Sequence, residues 1–599
     1  MNLKLDTLNK ARRTAEQRLM DMRNADGFWP GRLSSSALAA AVACVALYQV
    51  DPKGHHEALQ RGWQWLAAVQ NSDGGWGDTP ESKSNLSTTL LVWAAFQPVD
   101  STYATPVTQA ESYISAQTQT LSPDRISKAI LRIYGDDKTF SAPILALCAL
   151  AGRLGPDPAC WHYVPQLPLE AAALPQGLFR FLQLPVVSYA IPALIGIGLL
   201  RHRRGRATPL WGKFRDKITP RLLNELQALQ PENGGFLEAT PLAAFVALSL
   251  AGAGEGDHPV TRNAIEFILT SQLEDGSWPI DTDLATWVST LSIKALEEHE
   301  STLPKADKAI LHQWLSAQQF TTPHPFTGAA PGGWAWTHWA GAVPDADDTA
   351  GALLALHHLS NRSADDIASA KNGIQWLMGL QNRDGGIPTF CKGWGTLPFD
   401  KSCADLTGHA LRAFLTWQDA MPAAFQRKMD RRIKRMIDFL IHHQHGDGFW
   451  LPLWFGHQQA ADERNPVYGT VQVLLGLSHP ALAGRQDVQT AMAKAVEYLQ
   501  GQQNDDGGWG GQYGVTSSIE ETALALSALA ENGDRSHLER GSAWLLKANE
   551  NKMLASSPIG LYFASLWYDE RMYPAVFTAQ ALRRLYFSQL NRQPDIIKE

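Results

Sequence analysis

The stretch QNSDGGW, at residues 70–76, decides the fold because close copies of it recur along the chain. Clear copies read QLEDGSW at 272–278, QHGDGFW at 444–450 and QNDDGGW at 503–509, and weaker ones lie at 23–29, 230–236 and 381–387. Self-similarity of this kind is typical of repeat architectures, in which equivalent supersecondary units pack side by side. The sequence therefore predicts a series of equivalent units.

The chemistry of the phrase indicates a corner between two helices. A helical segment such as GIQWLMGLQ, which ends at Gln381, precedes each copy, and a small-residue segment rich in Ala and Leu follows it. Asp-Gly or Gly-Gly makes the turn, since glycine tolerates positive φ. The Trp can then fold back on the Gln side chain and the preceding helix. Because strand-like alternation is not sustained, the pattern predicts an all-α protein whose corners fasten a ring of helices.

The bulk properties narrow the class of protein. With 599 residues the chain is too long for one ordinary core, so two domains are expected. The net charge of −7, with both signs spread along the chain, argues against a nucleic-acid partner. The five cysteines lack zinc-type C-x-x-C spacing, and the N-terminus has no apolar signal-peptide core. We therefore expect no disulfide scaffold and a cytoplasmic location.

The most apolar stretch is LPVVSYAIPALIGIGLL, at 184–200, and the basic run RHRRGR follows it. It contains Pro185 and Pro192 and is short for a bilayer span, so a crossing helix is the least favoured interpretation. A buried helix is the plain interpretation. The alternative is peripheral membrane contact across 184–206, on the inner face of the membrane, where the basic run would meet anionic headgroups.

A second motif, VPDADDTAGALLAL at 343–356, carries three carboxyl groups in four positions. Asp345 is placed to cap a helix, and Asp347 and Asp348 fall in its first turn, where the helix dipole favours negative charge. Asp is a mediocre helix former, and one cap does not need three carboxylates. The motif therefore indicates a helix start, with acid chemistry as the second interpretation.

Together the repeated corners and the D-x-D-D-T-A phrase resemble the squalene-hopene cyclase and oxidosqualene cyclase family of class II terpene cyclases, over essentially the whole chain. The resemblance implies two α/α barrels with the active cavity between them. The expected divisions are a helix at 1–22 that joins the C-terminal barrel, an inserted barrel at 23–300, and a barrel at 301–599 that carries the acid. The implied activity is that of an isomerase that needs no cofactor and no metal. It protonates a terminal alkene of squalene or a related polyprene and drives carbocation polycyclisation.

The resemblance also implies the acid. Asp347 falls on the position that donates the proton, Asp345 and Asp348 on its partners, and His409, in DLTGHAL at 405–411, on the histidine that hydrogen-bonds the acid. Clustered carboxylates cannot all ionise cheaply, so one keeps its proton to high pH. A charged histidine would stabilise the carboxylate left after transfer, and the group should titrate as a unit. By itself, His409 is also compatible with a structural histidine satisfied by a neighbour.

A carbocation needs stabilisation without a nucleophile that would trap it, and aromatic faces in a dry cavity provide this. By resemblance, the cavity-lining aromatic positions are Tyr189, Trp287, Trp336, Phe390, Trp454 and Tyr468, with Tyr562, Phe563 and Tyr568 as further candidates. Each of them is also compatible with a plain core position.

Three segments depart from the family pattern. The region 33–50 has no carboxylate where hopene-forming members carry glutamates used in termination, so the product stays open. The segment 201–230 is shorter than the membrane-docking region of the hopene cyclases, which indicates looser attachment or another substrate route. The insertion HQQAADERN, at 457–465, separates Trp454 from Tyr468 and changes the pocket wall there.

Other functions stay open at this point. The substrate could be a shorter prenyl diphosphate or another polar-headed polyprene, with a headgroup met by the arginines at 201, 203, 204 and 206. A zinc-dependent prenyltransferase subunit is a second alternative, since Cys403, Asp405 and His409 are zinc-type ligands, although their spacing is not that of a closed site. A non-catalytic barrel that binds lipid or a partner is the third, because fold alone does not prove function. Homodimerisation is also open.

Overall fold

A computed structural model describes residues 5–135, 138–205, 209–550, 554–561 and 566–592. Its α-helices are α1 (Leu5–Asp21), α2 (Ala37–Val50), α3 (His56–Ala68), α4 (Leu86–Ala95), α5 (Ala104–Thr118), α6 (Pro123–Tyr134), α7 (Lys138–Leu150), α8 (Gln176–Phe181), α9 (Val186–Arg204), α10 (Pro209–Leu229), α11 (Thr240–Gly252), α12 (Pro259–Thr270), α13 (Ala285–Glu297), α14 (Lys305–Ala317), α15 (Ala346–Leu359), α16 (Ala364–Leu380), α17 (Ala404–Trp417), α18 (Ala423–His442), α19 (Pro466–Leu477), α20 (Gln486–Gly501), α21 (Ile519–Leu529), α22 (Arg535–Asn549) and α23 (Tyr573–Arg592). Short 3-10 turns lie at Gln97–Val99, Ala159–Tyr163, Leu169–Ala173, Phe236–Glu238, Pro398–Asp400, Gln418–Ala420 and Pro480–Leu482.

Three short strands form one small antiparallel sheet, in the order β1 (Phe455–His457), β2 (Ile559–Leu561) and β3 (Leu566–Tyr568). Gly456 pairs with Gly560, which in turn pairs with Trp567. The rest of the described chain is helices, turns and loops, apart from a few isolated β-bridges. The all-α prediction is therefore confirmed.

The first ring of helices has α2, α4, α7, α9 and α11 on the inside, each packed on the next, and α11 returns to α2. The helices α3, α5, α6, α10 and α12 lie outside them. The inner helices are largely apolar, as buried helices must be, and α2 buries every residue from Ala39 to Leu47. The repeated alternation of an apolar inner helix with a more polar outer one produces an α/α barrel.

The second ring has α13, α15, α17, α19, α21 and α23 on the inside, and α23 closes it against α13. Its outer helices are α14, α16, α18, α20 and α22, and α1 packs along α23 as the sixth. The expected architecture of two α/α barrels is therefore confirmed. Since α13 packs on α15 and α23, we propose that the second barrel begins at Ala285, not at residue 301.

The repeated phrase forms a corner that bonds neighbouring helix pairs. In each clear copy the indole N–H of the Trp donates to a helix carbonyl ten residues earlier: Trp76 to Leu66 (2.8 Å), Trp278 to Ile268 (2.7 Å), Trp450 to Leu440 (2.7 Å) and Trp509 to Leu499 (2.7 Å). The Gln amide reaches further: that of Gln444 donates to Gly448 O at 2.9 Å and to Ala491 O, on the next outer helix, at 2.8 Å. The phrase thus ends one outer helix and bonds it to the next outer helix of the barrel.

One corner is hidden in the sequence because its two halves are separated. The Gln319 amide donates to Gly332 O at 2.8 Å, and the Trp334 indole donates to Leu315 O at 2.9 Å, across a spacer at 320–331. Trp334 then accepts a hydrogen bond at its carbonyl from the Asp345 N–H at 3.0 Å. The split corner therefore fixes where the helix with the three aspartates begins.

The apolar stretch at 184–200 forms most of α9, an inner helix of the first barrel, so the plain interpretation of a buried helix is correct for this segment. The following arginines are bound within the protein: Arg201 donates to Val164 O, Arg203 pairs with Asp216, and Arg204 donates to Gly252 O. Arg206 lies outside the described residues. Among the helices of the described part of the chain, none combines the length and apolar character needed to cross a bilayer.

Gly448 and Gly446, two residues apart in the same corner, provide a test of the corner geometry. Gly448 has φ +97°, and a Cβ there would meet Lys494 O at 2.4 Å, whereas a Cβ on Gly446 would meet no atom within 4 Å. Gly448→Ala should lower the free energy of unfolding by at least about 1–2 kcal/mol, the cost of a left-handed L residue. Gly446→Ala should have little effect. Thermal unfolding followed by circular dichroism measures both, and equal melting temperatures for the two variants would contradict the corner model.

Candidate active site

Asp345 begins the helix that carries the acidic motif. It is the N-cap of α15, with φ −134°, and its side chain accepts a hydrogen bond from the Asp348 N–H at 2.8 Å. Asp347 and Asp348 occupy the first turn. The helix-start interpretation is therefore confirmed, and it fixes the direction of all three side chains.

Asp345 and Asp348 form a buried carboxyl pair, with 4% and 5% of their surface exposed. Burial raises the pKa of Asp345 to about 7 and that of Asp348 well above its usual value. Within the described part of the chain, Oδ2 of Asp345 and Oδ1 of Asp348 are buried and accept from no donor. Protonation removes the cost of an ionised carboxylate in this water-poor position, so the pair holds at least one proton at neutral pH.

Asp347 differs from its two neighbours because its side chain keeps 17% of its surface exposed. Its Oδ1 lies 2.6 Å from Nδ1 of His409. The two residues are 62 positions apart, and they meet because α15 and α17 are adjacent inner helices of the second barrel. One oxygen of Asp347 is thus held by the imidazole, while the carboxyl group retains open surface.

His409 does not carry the charge expected of it. Burial lowers its pKa to about 4, and the neighbouring Lys294 adds to that effect. Nζ of Lys294 lies 3.2 Å from Nε2 of His409, on the side of the ring opposite Asp347. The expectation of a charged histidine is therefore wrong at neutral pH: the imidazole is uncharged in a water-poor site and has a lysine behind it.

Lys294 is the functional candidate that the sequence motifs did not reveal. It is 5% exposed, and burial, followed by the positive charge of Arg412, lowers its pKa to about 7. The signal for it was present: Lys294 is the lone charged residue of TWVSTLSIKAL, at 286–296, a run that forms an inner helix. A charged residue in such a run needs a partner or a function.

Phe390 lies where the two barrels meet, and three of the other aromatic candidates surround it. The ring centroid of Phe390 lies 5.3 Å from that of Tyr189, 5.8 Å from Trp454 and 6.3 Å from Trp336. Tyr189 comes from α9 of the first barrel, and its hydroxyl donates to Phe390 O. Phe399, which no motif indicated, completes this group at 5.3 Å from Phe390.

A second aromatic group lies beside His409. The Trp287 ring stands edge-on to His409 at 6.2 Å, and its indole N–H donates to the Tyr573 hydroxyl, which lies 3.3 Å from the Tyr568 hydroxyl. Burial raises the pKa of both Tyr468 and Tyr568. Tyr562 and Phe563 lie outside the described residues.

The candidate zinc ligands do not converge. His409 turns toward Asp347, and the thiol of Cys403 contacts the carboxyl group of Asp405. Among the side chains that the structure describes, no group of three His, Cys, Asp or Glu residues could hold a metal ion. The geometry thus favours an acid site over the zinc-site alternative.

The fold and the site together define an α/α double-barrel protein with an acidic, aromatic-lined centre, and comparison with known proteins identifies its family. The squalene-hopene cyclase N-terminal domain matches residues 13–136, and the C-terminal domain matches residues 284–554. The chain is 22% identical to the squalene–hopene cyclase of Zymomonas mobilis, over 90% of this chain and 89% of that protein.

Two further relatives cover nearly the whole chain. A terpene cyclase–glycosyl transferase fusion protein of Humicola fuscoatra is 25% identical over 99% of this chain, which spans 51% of that relative and therefore about half of its length. The solved ent-copalyl diphosphate synthase of Streptomyces platensis has the same fold, with a TM-score of 0.59 and 18% identity over 96% of this chain and 99% of that one. The chain belongs to the class II terpene cyclase family, alongside the squalene-hopene cyclases.

The buried carboxyl pair makes stability depend on pH. A pKa raised by burial gives a stabilising contribution that is present at low pH and lost as pH rises through about 7. Asp345→Asn keeps the helix cap but removes one titrating group. Between about pH 5 and about pH 8 the free energy of unfolding should therefore fall less in this variant than in the unmodified protein, by on the order of 1 kcal/mol or more. The melting temperature, measured across the same pH range, should show the same difference.

Asp365→Asn is the matched control, because Asp365 is an exposed aspartate in the first turn of α16. It should show the same pH dependence as the unmodified protein. An identical decline in Asp345→Asn would contradict the assignment of a buried, protonated pair.

Proposed function

We propose that the protein is an isomerase of the terpene cyclase type, which protonates a terminal alkene of squalene or a related polyprene and drives its polycyclisation. The observation that supports this best is the Asp347 carboxyl group. This group retains open surface, and His409 binds one of its oxygens. In the sequence it lies between Asp345 and Asp348, the two members of the protonated carboxyl pair. This arrangement provides an acid and a means of stabilising its conjugate base.

In the first step the open oxygen of Asp347 gives its proton to the terminal alkene. A C–H bond forms from the π electrons, and a tertiary carbocation and a carboxylate remain. The His409 N–H, at 2.6 Å, and the N-terminal dipole of α15 both stabilise that carboxylate. Because Asp345 and Asp348 retain a proton, they add less negative charge around Asp347 than two ionised neighbours would.

The aromatic rings then face the cation as it moves through the polyprene. Phe390, Trp336 and Trp454 present π faces that attract positive charge without forming a bond to it. Their position between the barrels, away from bulk water, limits quenching by a water molecule. The inner helix α2, which covers most of 33–50, has no carboxylate, so the base that ends the reaction must come from elsewhere.

The test of this function is the change Asp347→Asn, which keeps the side-chain shape and removes the acid. Purified protein is incubated separately with squalene, oxidosqualene and prenyl diphosphates, and the products are analysed by gas chromatography and mass spectrometry. The unmodified protein should form a cyclic product from at least one substrate. Asp347→Asn should reduce its rate by at least about 100-fold, the lower range for loss of a positioned acid.

The exposed Asp365→Asn variant is the control for this assay and should retain full activity. Undiminished cyclisation by Asp347→Asn would show that another group is the acid. A chain that converts none of these polyprenes would contradict the proposed function.

We also propose that the protein contacts a lipid surface through an apolar face formed by α8 and the start of α10. The exposed apolar side chains there are Leu174, Leu178, Phe181, Leu182, Leu210, Trp211 and Phe214. Phe181 and Leu210 are each 83% exposed. Arg215 bonds to Glu170 at 2.6 Å and so holds the start of α10 beside the segment that leads to α8. A group of exposed apolar side chains of this size marks an interaction surface.

This face differs from the stretch expected from the sequence, since 184–200 is largely buried and the exposed residues flank it. It lies next to α9, which carries Tyr189 into the aromatic group, so a substrate dissolved in lipid would have a short route to the site. The proposed contact is peripheral.

Vesicles of phosphatidylcholine and phosphatidylglycerol test the lipid contact. The double variant Phe181→Glu/Leu210→Glu should bind them at least about tenfold more weakly, because each buried apolar side chain contributes about 1.5–3 kcal/mol. Ile310→Glu, a change at an exposed apolar residue on an outer helix of the second barrel, is the control and should bind as the unmodified protein does. Equal sedimentation of the double variant and the control would contradict the assignment.

A further inference from the structure

Lys294 has a partner set that is unusual for a lysine. Its Nζ lies 3.2 Å from the imidazole Nε2 of His409 and 5.9 Å from the centroid of the Trp287 ring. Within the described residues, no carboxylate forms a direct ion pair with it. A buried lysine is costly, so its retention beside His409 calls for a role that a neutral side chain would not fill.

We propose that Lys294 is a positioning residue for the proposed protonation reaction: its ammonium group donates to Nε2 of His409, keeps the imidazole neutral and fixes the tautomer whose Nδ1–H points at Asp347. The role of Lys294 in catalysis rests on the proposed function. The structural part of the inference, the state of His409, is independent of turnover.

The hydrogen-bonding capacity of imidazole carries the argument. A neutral imidazole has one donor and one acceptor nitrogen, and an ammonium group can only donate. When Lys294 donates to Nε2, that nitrogen must be the acceptor and Nδ1 must carry the proton. Oδ1 of Asp347 therefore accepts at 2.6 Å, and the acidic proton of Asp347 resides on its other oxygen.

The titratable groups around Lys294 come from α15, from α17 and from the residue that follows its own helix. Asp347 and Asp348 face it from α15, together with His358, and Arg412 faces it from α17. Glu298 follows on its own element and is bound to Arg412 at 2.8 Å. Burial comes first among the causes that lower the pKa of Lys294 to about 7, and burial also comes first for His409, whose pKa is lowered to about 4. Between these values the positive charge is on Lys294, not on the imidazole.

A small cavity lies behind the imidazole and makes an arginine variant informative. It has a volume of about 20 Å³ and is lined by Lys294, His409, Arg412, Gln472 and Gln580 among others. This is room for about one water molecule. Lys294→Arg can use that space and keeps a permanent positive charge, whereas Lys294→Met keeps the approximate shape of the side chain and removes the charge.

The first experiment observes His409 directly and needs no turnover. Full-length protein labelled with ¹⁵N in histidine is studied by NMR at about pH 6, where histidine charge states are readily distinguished. His409→Gln identifies the His409 signals. We expect a neutral ring protonated at Nδ1, and a change of tautomer or charge in Lys294→Met. An imidazolium in the unmodified protein, or unchanged His409 signals in Lys294→Met, would overturn the proposal.

The second experiment uses the pH dependence of cyclisation. The rate should fall as pH rises through about 7, because the Lys294 ammonium loses its proton there. Asp345 and Asp405 also titrate near pH 7, but they are unchanged in Lys294→Arg. Any contribution from these two carboxyl groups therefore stays near pH 7, whereas the part of the alkaline fall that is due to residue 294 should move upward by more than about one pH unit, since guanidinium stays charged. Lys294→Met should lose at least about tenfold in kcat, in the range typical of a lost charge-assisted hydrogen bond.

Lys308→Met is the control. Lys308, on α14, pairs with Glu297 at the end of α13, the helix that carries Lys294, and makes no contact with His409. It should leave both the NMR signals and the pH profile unchanged. An identical pH profile in Lys294→Arg and in the unmodified protein, with no part of the alkaline fall displaced, would overturn the proposal. Failure of the proposed function would instead appear as no cyclic product from the unmodified chain, with the His409 signals still responding to Lys294→Met.

Discussion

The structure depends on one interaction, the hydrogen bond from a corner indole to a helix carbonyl ten residues earlier. The glycine of the same corner has a positive φ and lies very close to the next outer helix. A Cβ on Gly448, for example, would meet the backbone oxygen of Lys494 in that helix. Direction and spacing are thereby fixed at each step around a barrel. With them fixed, α13, α15 and α17 become neighbouring inner helices, and residues more than sixty positions apart meet at the site.

The second constraint is the cost of burying charge. The inner helices are packed from apolar and small residues, so each ionisable group among them is held away from water. The carboxyl pair beside Asp347 responds by keeping a proton, and His409 responds by staying neutral. The same burial that stabilises the barrels thus sets the protonation states on which acid chemistry depends.

Local sequence signals were sufficient to predict much of the fold and part of the candidate site. Glycine-containing corners, Ala-rich inner helices and the Asp345 cap follow from turn chemistry, helix periodicity and capping, which act over a few residues. The corner of Gln319 and Trp334 was missed because a spacer separates its halves, although its hydrogen bonds are the same. Phe399 and Lys294 were missed because their importance arises from residues far away in the sequence, Tyr189 for Phe399 and His409 for Lys294. The charge of His409 was predicted wrongly because a motif names a residue without reporting how deeply it is buried.

The placement of positive charge near the acid follows from a conflict between two stages of the reaction. A full charge in contact with the carboxyl group would favour loss of its proton before a substrate arrives, yet the carboxylate formed by transfer needs stabilisation. Coulomb attraction falls with distance, so a lysine on the far side of an imidazole acts more weakly on the carboxyl group than a charged imidazole would. The neutral ring still donates one hydrogen bond at 2.6 Å and is polarised by the ammonium group at 3.2 Å. That bond strengthens as negative charge develops on Asp347, so the stabilisation grows when the proton leaves and stays small beforehand.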